Sequence, residues 1–209
     1  MTTTTTDIRS ERGFDRLVNF SDATVAIAIT LLILPLVDLA NDIGRDKSPI
    51  DVVIDHWPAF LSFLASFAVI ARYWMQHHQL FEHVRLYSRP LIVANFFWLM
   101  GIVALPFAAN ALSAADRRHD PSLFAIFLGA LVLASCASTA MEVILRRRPE
   151  LMREGVPPVD LIGSVVSLAL LMFALVLAYV VPAVGLFWIL LLLLSPVAER
   201  LIRRVRTRS

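Results

Sequence analysis

The stretch Arg16-Leu17-Val18-Asn19-Phe20-Ser21-Asp22, running on into Ala26-Ile27-Ala28-Ile29-Thr30-Leu31-Leu32, sets a carboxylate at the start of an apolar segment reaching from about Leu17 to Ala40. A membrane-spanning helix needs about 20 mostly apolar residues, because the hydrocarbon core is roughly 30 Å thick and each helical residue rises about 1.5 Å. The segment meets that length. A carboxylate entering such a helix is costly and is normally paired, so Asp22 calls for partners on neighbouring helices. With helical residues about 100° apart, Phe20, Ile27, Leu31 and Leu34 fall within about 60° of one another and form one apolar stripe, while Asp22 lies about 140° from Ile27.

The rest of the chain repeats the apolar theme. Of its 209 residues, 58% are hydrophobic and 17% charged, against roughly 45 to 50% and about a quarter in an average soluble domain; mean hydropathy is +0.72. Further apolar runs extend from about Trp57 to Gln79, Pro90 to Leu112, Ser122 to Leu145, Val159 to Val181 and Ala183 to Ile202, separated by polar or proline-containing segments. The expected fold is all-α, a polytopic membrane protein with six transmembrane helices. Residues 1–13 are expected to form a flexible cytoplasmic tail, 14–205 the membrane domain and 206–209 a basic cytoplasmic tail. Met1 to Arg12 is Thr-rich, with no apolar core of a signal peptide.

Charge sets the orientation, since cytoplasmic loops collect Lys and Arg. With six crossings, Arg9, Arg12, Arg16, Arg85, Arg89, Arg146, Arg147, Arg148, Arg153, Arg200, Arg203, Arg204, Arg206 and Arg208 share one side, Arg45, Lys47, Arg117 and Arg118 the other, and Arg72 lies within a span. That asymmetry predicts both termini in the cytoplasm of a cell, expected as the bacterial plasma membrane. Five crossings would put the C-terminal arginines outside. The basic residues, despite a pI near 9.1, are interspersed with apolar runs and so point to topology rather than to nucleic acid. Asp38, Asp42, Asp46, Asp51 and Asp55 crowd the first external loop; they either keep an exposed loop solvated or concentrate cations near a pore mouth.

The six-span topology brings candidate partners to the depth of Asp22. His77 and His78 close the second span, Asn95 lies about a turn and a half into the third, and Trp74 and Trp98 sit at comparable depth with indole N–H groups to donate. A buried cluster of Ser21, Asp22, Trp74, His77, Asn95 and Trp98 joining three helices is expected, against the alternative that His and Trp at helix ends are interfacial anchors. Arg72 either joins it or extends along a cavity. Glu142 is expected to pair with Arg146 four residues on, and Cys136, the single cysteine, is expected as a small packing residue.

At Arg16, Phe20, Ser21 and Asp22 the sequence resembles the transmembrane protein 175 family of potassium channels, whose hallmark Arg-x-x-x-Phe-Ser-Asp opens the first helix before an Ala-Ile-Ala-Ile-Thr-Leu-Leu run like Ala26 to Leu32. Trp74, His77, Phe81, Asn95 and Pro106-Phe107 extend the resemblance over roughly the first half of the chain. It implies a homotetramer whose first helices line a central pore, one repeat per chain, with Ile27, Leu31 and Leu34 as the hydrophobic constriction and Thr30 as a polar position close behind it. Pro35 departs from many relatives and is expected to kink the upper part of the pore helix, because proline leaves the carbonyl of Leu31 without its helical partner.

The function expected on that basis is potassium-preferring cation conduction through a hydrophobic constriction, with the potassium ion as permeant species and no cofactor or metal. The alternative is a proton- or cation-coupled secondary transporter, for which Asp22, Arg72, His77 and His78 would form a relay; a non-conducting membrane scaffold is a third class. The sequence holds no Thr-Val-Gly-Tyr-Gly filter and no regularly spaced arginine helix, and no nucleophile or metal-ligand spacing of an enzyme. The partners expected are further copies of the chain, the lipid bilayer and monovalent cations.

Overall fold

The computed structural model describes residues 8–9, 11–39, 43, 48–114 and 121–180. Its helices are α1 (Glu11–Leu31), α2 (Leu34–Leu39), α3 (Pro49–Asp55), α4 (Trp57–Glu82), α5 (Arg89–Ala114), α6 (Pro121–Arg147) and α7 (Ile162–Val180). Two short strands, β1 (Ile8–Arg9) and β2 (Tyr87–Ser88), pair antiparallel. Among the described residues, four helical stretches are long and apolar enough to cross a membrane: Glu11–Leu39, Trp57–Glu82, Arg89–Ala111 and Ala125–Arg147, with a shorter apolar helix at Ile162–Leu177. This is a mostly helical, multi-pass membrane architecture. The sixth span expected at Ala183 to Ile202, with Asp42, Asp46, Arg45, Lys47, Arg117 and Arg118, lies outside the described residues.

At Pro35, where a kink is expected, the first span is interrupted. Without an amide on Pro35, the last turn tightens: Leu32 and Ile33 donate to Ile29 and Thr30, three residues back, and the chain restarts as α2. The span expected as one helix from Leu17 to Ala40 is therefore two, and it begins earlier, at Glu11. The stretch 1–13, expected as a tail, contributes β1 and the first residues of α1. Phe14 anchors that end against Phe81 and Tyr87, at ring separations of 5.4 and 6.5 Å.

The acidic first loop carries a helix that charge counting alone does not reveal. Ser48 caps α3, accepting from the Asp51 amide while Asp51 accepts from the Ser48 amide, and Pro49 occupies the first helical turn. Pro58 starts α4 in the same way.

Helix α5 lies at the centre, packed on α1, α4 and α6. Its approach to α6 depends on Gly101: a methyl there would meet the carbonyl oxygen of Ala130 and the amide of Ala134, both at 2.9 Å. Between apolar helices in lipid there is little hydrophobic drive to associate, so close backbone contact at small residues supplies the attraction. Tyr73 ties α4 to α6, its hydroxyl 2.6 Å from Ser135 Oγ. On the arginine-rich side the α6–α7 loop clamps the α4–α5 loop: the amides of Arg85 and Leu86 donate to the Leu151 carbonyl, and that of Arg153 to His83.

Candidate functional site

Helix α1 has two unlike faces. Val25, Ala28 and Leu32 are buried against the bundle, while Phe20, Ile27, Thr30 and Leu31, with Leu34 beyond the break, stand exposed. Ile27 is 61% exposed and its neighbour Ala28 1%, so the division follows helix geometry. Ile29 turns inward and packs on the core. From Ile27 to Leu34 the stripe read from the sequence is thus an exposed, largely apolar face, while Phe20 at its start meets α5. Thr30 sits within it, its hydroxyl donating to the Ile27 carbonyl at 2.8 Å and keeping its lone pairs available as acceptors.

Behind that face, midway along α1, most of the polar residues expected to cluster are bonded across helices, in two groups. Ser21 is buried and donates to the Leu17 carbonyl at 2.9 Å. Its hydroxyl proton being committed, Ser21 must accept from Asn95, which donates through Nδ2 at 2.8 Å. The amide oxygen of Asn95 therefore faces His77 Nε2, 2.7 Å away, and His77 must carry its proton there. One backbone carbonyl so fixes every donor and acceptor across α1, α5 and α4. Asp22 takes a different partner: its Oδ1 accepts from Trp74 Nε1 at 2.8 Å.

Trp98 enters the cluster by packing rather than by the donation expected of it. Its ring stacks on His77 at 4.1 Å and 20°, and its indole N–H finds no acceptor among the described residues. Phe81 closes the other side of the imidazole at 4.0 Å. His78 stands apart from His77, stacked on Trp74 at 5.2 Å and 3.3 Å from Glu82. Arg16 is exposed and makes none of the cluster's bonds, while Phe20 meets Phe96 of α5 at 5.9 Å.

Arg72 lines a cavity between α4, α6 and α7 whose wall His77 also reaches. Glu142 lines it too and accepts from Ser164 of α7 at 2.5 Å, a link across helices. Cys136 is exposed rather than packed inside. Sequence reasoning missed the Tyr73–Ser135 and Ser164–Glu142 links. Their only signal is a run of hydroxyl residues, Ser135, Ser138 and Thr139, in an otherwise apolar helix.

Residues 16–106 match the model of the family described as the endosomal/lysosomal potassium channel TMEM175, so the resemblance read from Arg16 to Asp22 is borne out over α1 to most of α5. A protein named as a potassium channel from Streptomyces collinus is 34% identical over 123 residues, 58% of each chain. One so named from Chamaesiphon minutus is 34% identical over 105 residues, 50% of this chain and 51% of that one. The human protein named as the endosomal/lysosomal proton channel TMEM175 is 31% identical over 146 residues, 65% of this chain and 28% of that one. The matched segment thus spans little more than half of the bacterial relatives and about a quarter of the human one. These relatives are named as channels, not as enzymes. The fold is shared with the crystal structure of a lysosomal potassium-selective channel TMEM175 homolog from Chamaesiphon minutus, at a TM-score of 0.69 and 22% identity over 91% of this chain and 97% of that one.

Proposed function

We propose, from the TMEM175-family match over residues 16–106, that the chain is a potassium-preferring cation channel in which four copies set their α1 helices around a central pore, in a bacterial plasma membrane with both termini cytoplasmic. One observation carries this reading: α1 leaves Phe20, Ile27 and Leu31 exposed while its opposite face is buried. Helices α4 and α5 also expose apolar faces, so it is the family match over residues 16–106 that supports giving the α1 stripe to a shared axis. The polar cluster acts behind the pore, as the joint that holds α1 at a fixed rotation on α4 and α5.

Ile27, Leu31 and Leu34 then form the constriction, with Thr30 as the polar position beside it. Rings of aliphatic side chains offer no ligand in place of water, so an ion must squeeze or shed its hydration shell to pass. Potassium holds water less tightly than sodium and is favoured; the same ring closes by dewetting.

A second reading has support in the names of the animal relatives, which call those proteins proton channels: a constriction too dry for hydrated metal ions still passes protons along a transient water file. Purified protein in liposomes separates the possibilities. Electrodiffusive potassium flux exceeding sodium flux supports the proposal, with an oligomer of four in the same sample. Proton flux without potassium flux favours the second reading, and saturable coupled uptake favours a secondary transporter.

A further inference from the structure

Helix α3 presents three different faces within seven residues. At about 100° per residue, Ile50, Val53 and Ile54 share an arc of about 100°, Asp51 and Asp55 share a second of about 40°, and Val52 lies on a third. Val52 is 2% exposed and so packs inside the protein, whereas Ile50 and Ile54 are 63% and 62% exposed. Asp51 and Asp55 are exposed too, as suits groups that meet water. The aliphatic face remains to be matched with a partner, because large apolar side chains gathered on one side of an amphipathic helix mark a contact surface.

The position of α3 on the chain points to that partner. Only His56 separates it from α4: the His56 amide donates to the Val52 carbonyl at 3.1 Å, and the His56 carbonyl accepts from Ala59 at 2.9 Å. Helix α4 is apolar enough to cross a membrane and is 26 residues long, about 39 Å at about 1.5 Å per residue, against a hydrocarbon core of about 30 Å. Its first residue, Trp57, therefore falls at headgroup level, where tryptophan is enriched. Trp57, Leu61 and Leu64 stand exposed within about 60° of one another on α4, so an exposed apolar strip on the span begins where that of α3 ends.

We propose that α3 is an interfacial anchor. It lies on the membrane surface away from the arginine-rich loops, with Ile50, Val53 and Ile54 at the boundary between lipid headgroups and acyl chains and with Asp51 and Asp55 toward water. The partner is lipid, held by apolar burial and not by its headgroup, since residues 48–57 include no Lys or Arg to grip a phosphate. His56 leaves helical geometry at φ −114°, and the missing amide of Pro58 follows it, so α3 need not continue the line of α4. Anchored in this way, α3 sets the depth and rotation of α4, the helix whose Trp74 and His77 bond Asp22 and Asn95. The inference needs the multi-pass membrane architecture and does not rest on the channel reading.

The test uses the full-length protein in a Cys136→Ser background with single substitutions Ile50→Cys, Ile54→Cys and Asp55→Cys. Each carries an environment-sensitive fluorophore in phosphatidylcholine vesicles. Quenching by a nitroxide on the lipid acyl chain near the headgroup is compared with quenching by iodide present on both sides of the membrane. The lipid nitroxide is expected to quench the labels at 50 and 54 several-fold more than the label at 55, with the order reversed for iodide. Equal access of iodide to all three positions would put the apolar face in water. Protection of 50 and 54 from both quenchers would put that face against protein, a second copy or another part of this chain; either result overturns the anchor. Where Asp55→Cys does not fold, the ratio of the two quenchers at 50 and 54 decides alone. An interfacial thiol still meets water, so an impermeant maleimide should reach position 54 from that side of the membrane, several-fold more slowly than position 55.

Discussion

Asn95 stands between Ser21 and His77, donating to the one at 2.8 Å and accepting from the other at 2.7 Å. It is fully buried, as is Ser21, and its two bonds hold α1 and α4 to α5 at the depth where the apolar stripe begins. Because the bonds are directional and each helix has one residue in the chain, they set rotation as well as distance.

The Ser21–Asn95 bond should show as coupling between the two residues. Hydrogen bonds between membrane helices contribute about 0.6 kcal/mol on average and about 1.7 at most, since the unfolded chain also finds partners in the membrane. In a double-mutant cycle of Ser21→Ala and Asn95→Ala, followed by unfolding in detergent micelles, the two losses should be non-additive by an amount in that range. Strict additivity would mean that the bond does not form.

Asp22 is expected to be structural. Asp22→Asn keeps an oxygen for the Trp74 indole and should assemble; Asp22→Ala leaves that half-buried donor unpaired, at a cost of at most about 1 to 3 kcal/mol, and should reduce the folded oligomer seen by size-exclusion chromatography. Normal assembly of Asp22→Ala with altered ion selectivity would place the carboxylate in the pore instead.

Gly101→Leu should separate α5 from α6, because even a methyl at this position meets backbone atoms at 2.9 Å and backbone, unlike the end of a flexible side chain, cannot step aside. Loss of folded protein is expected. The same replacement at Gly129, whose added carbon meets nothing within 4 Å, is the control and should be tolerated.

How far these features were legible before the structure depends on whether they reside in side chains or in backbone. The polar groups could be read because such groups in apolar helices are few and costly, and topology assigns each a depth; the structure joins Ser21, Asn95 and His77 in one chain of bonds and Asp22 with Trp74 in another. A disturbance at Pro35 could be read from its missing amide, but as a kink of one helix rather than the interruption that separates α1 from α2. By contrast, the clamp of the α6–α7 loop on the α4–α5 loop uses backbone groups of Arg85, Leu86 and Leu151, which any residues there would carry. Trp98 shows the limit for side chains: depth placed it in the cluster, but only packing decides between a donated N–H and a stacked ring. Helix α3 did have a signal, the Ser48-Pro49-x-Asp51 cap, masked by reading its aspartates only as loop charge.

Topology can be checked by labelling single cysteines in a Cys136→Ser background, needed because Cys136 is itself exposed. A cysteine at Ile54, exposed on α3, should react with an impermeant maleimide from outside intact cells, and one at Arg148, after α6, should react only once the cells are opened. The reverse pattern would overturn the cytoplasmic assignment of the arginine-rich loops.

Ile27 is where the channel reading is most exposed to test, because it is the most prominent side chain of the α1 stripe and makes no essential contact within its own chain. Replacing it with Asn should leave the monomer fold intact, since an exposed position involves no loss of core packing. In a fourfold assembly the change sets four amides around the axis, each able to hold water or to serve as an ion ligand, so the dry barrier falls. Sodium loses more than potassium on dehydration, and lowering that barrier helps it more. Total current should therefore rise while the preference for potassium falls, seen as a shift of the reversal potential under opposing potassium and sodium gradients. Ile29→Asn separates this from a general loosening of the helix: Ile29 packs on the core, so its replacement should lower stability and leave the reversal potential of the surviving protein where it was. If Ile27→Asn changes neither conductance nor reversal potential in a correctly assembled protein, the exposed stripe of α1 meets lipid or another subunit, and the ions pass elsewhere.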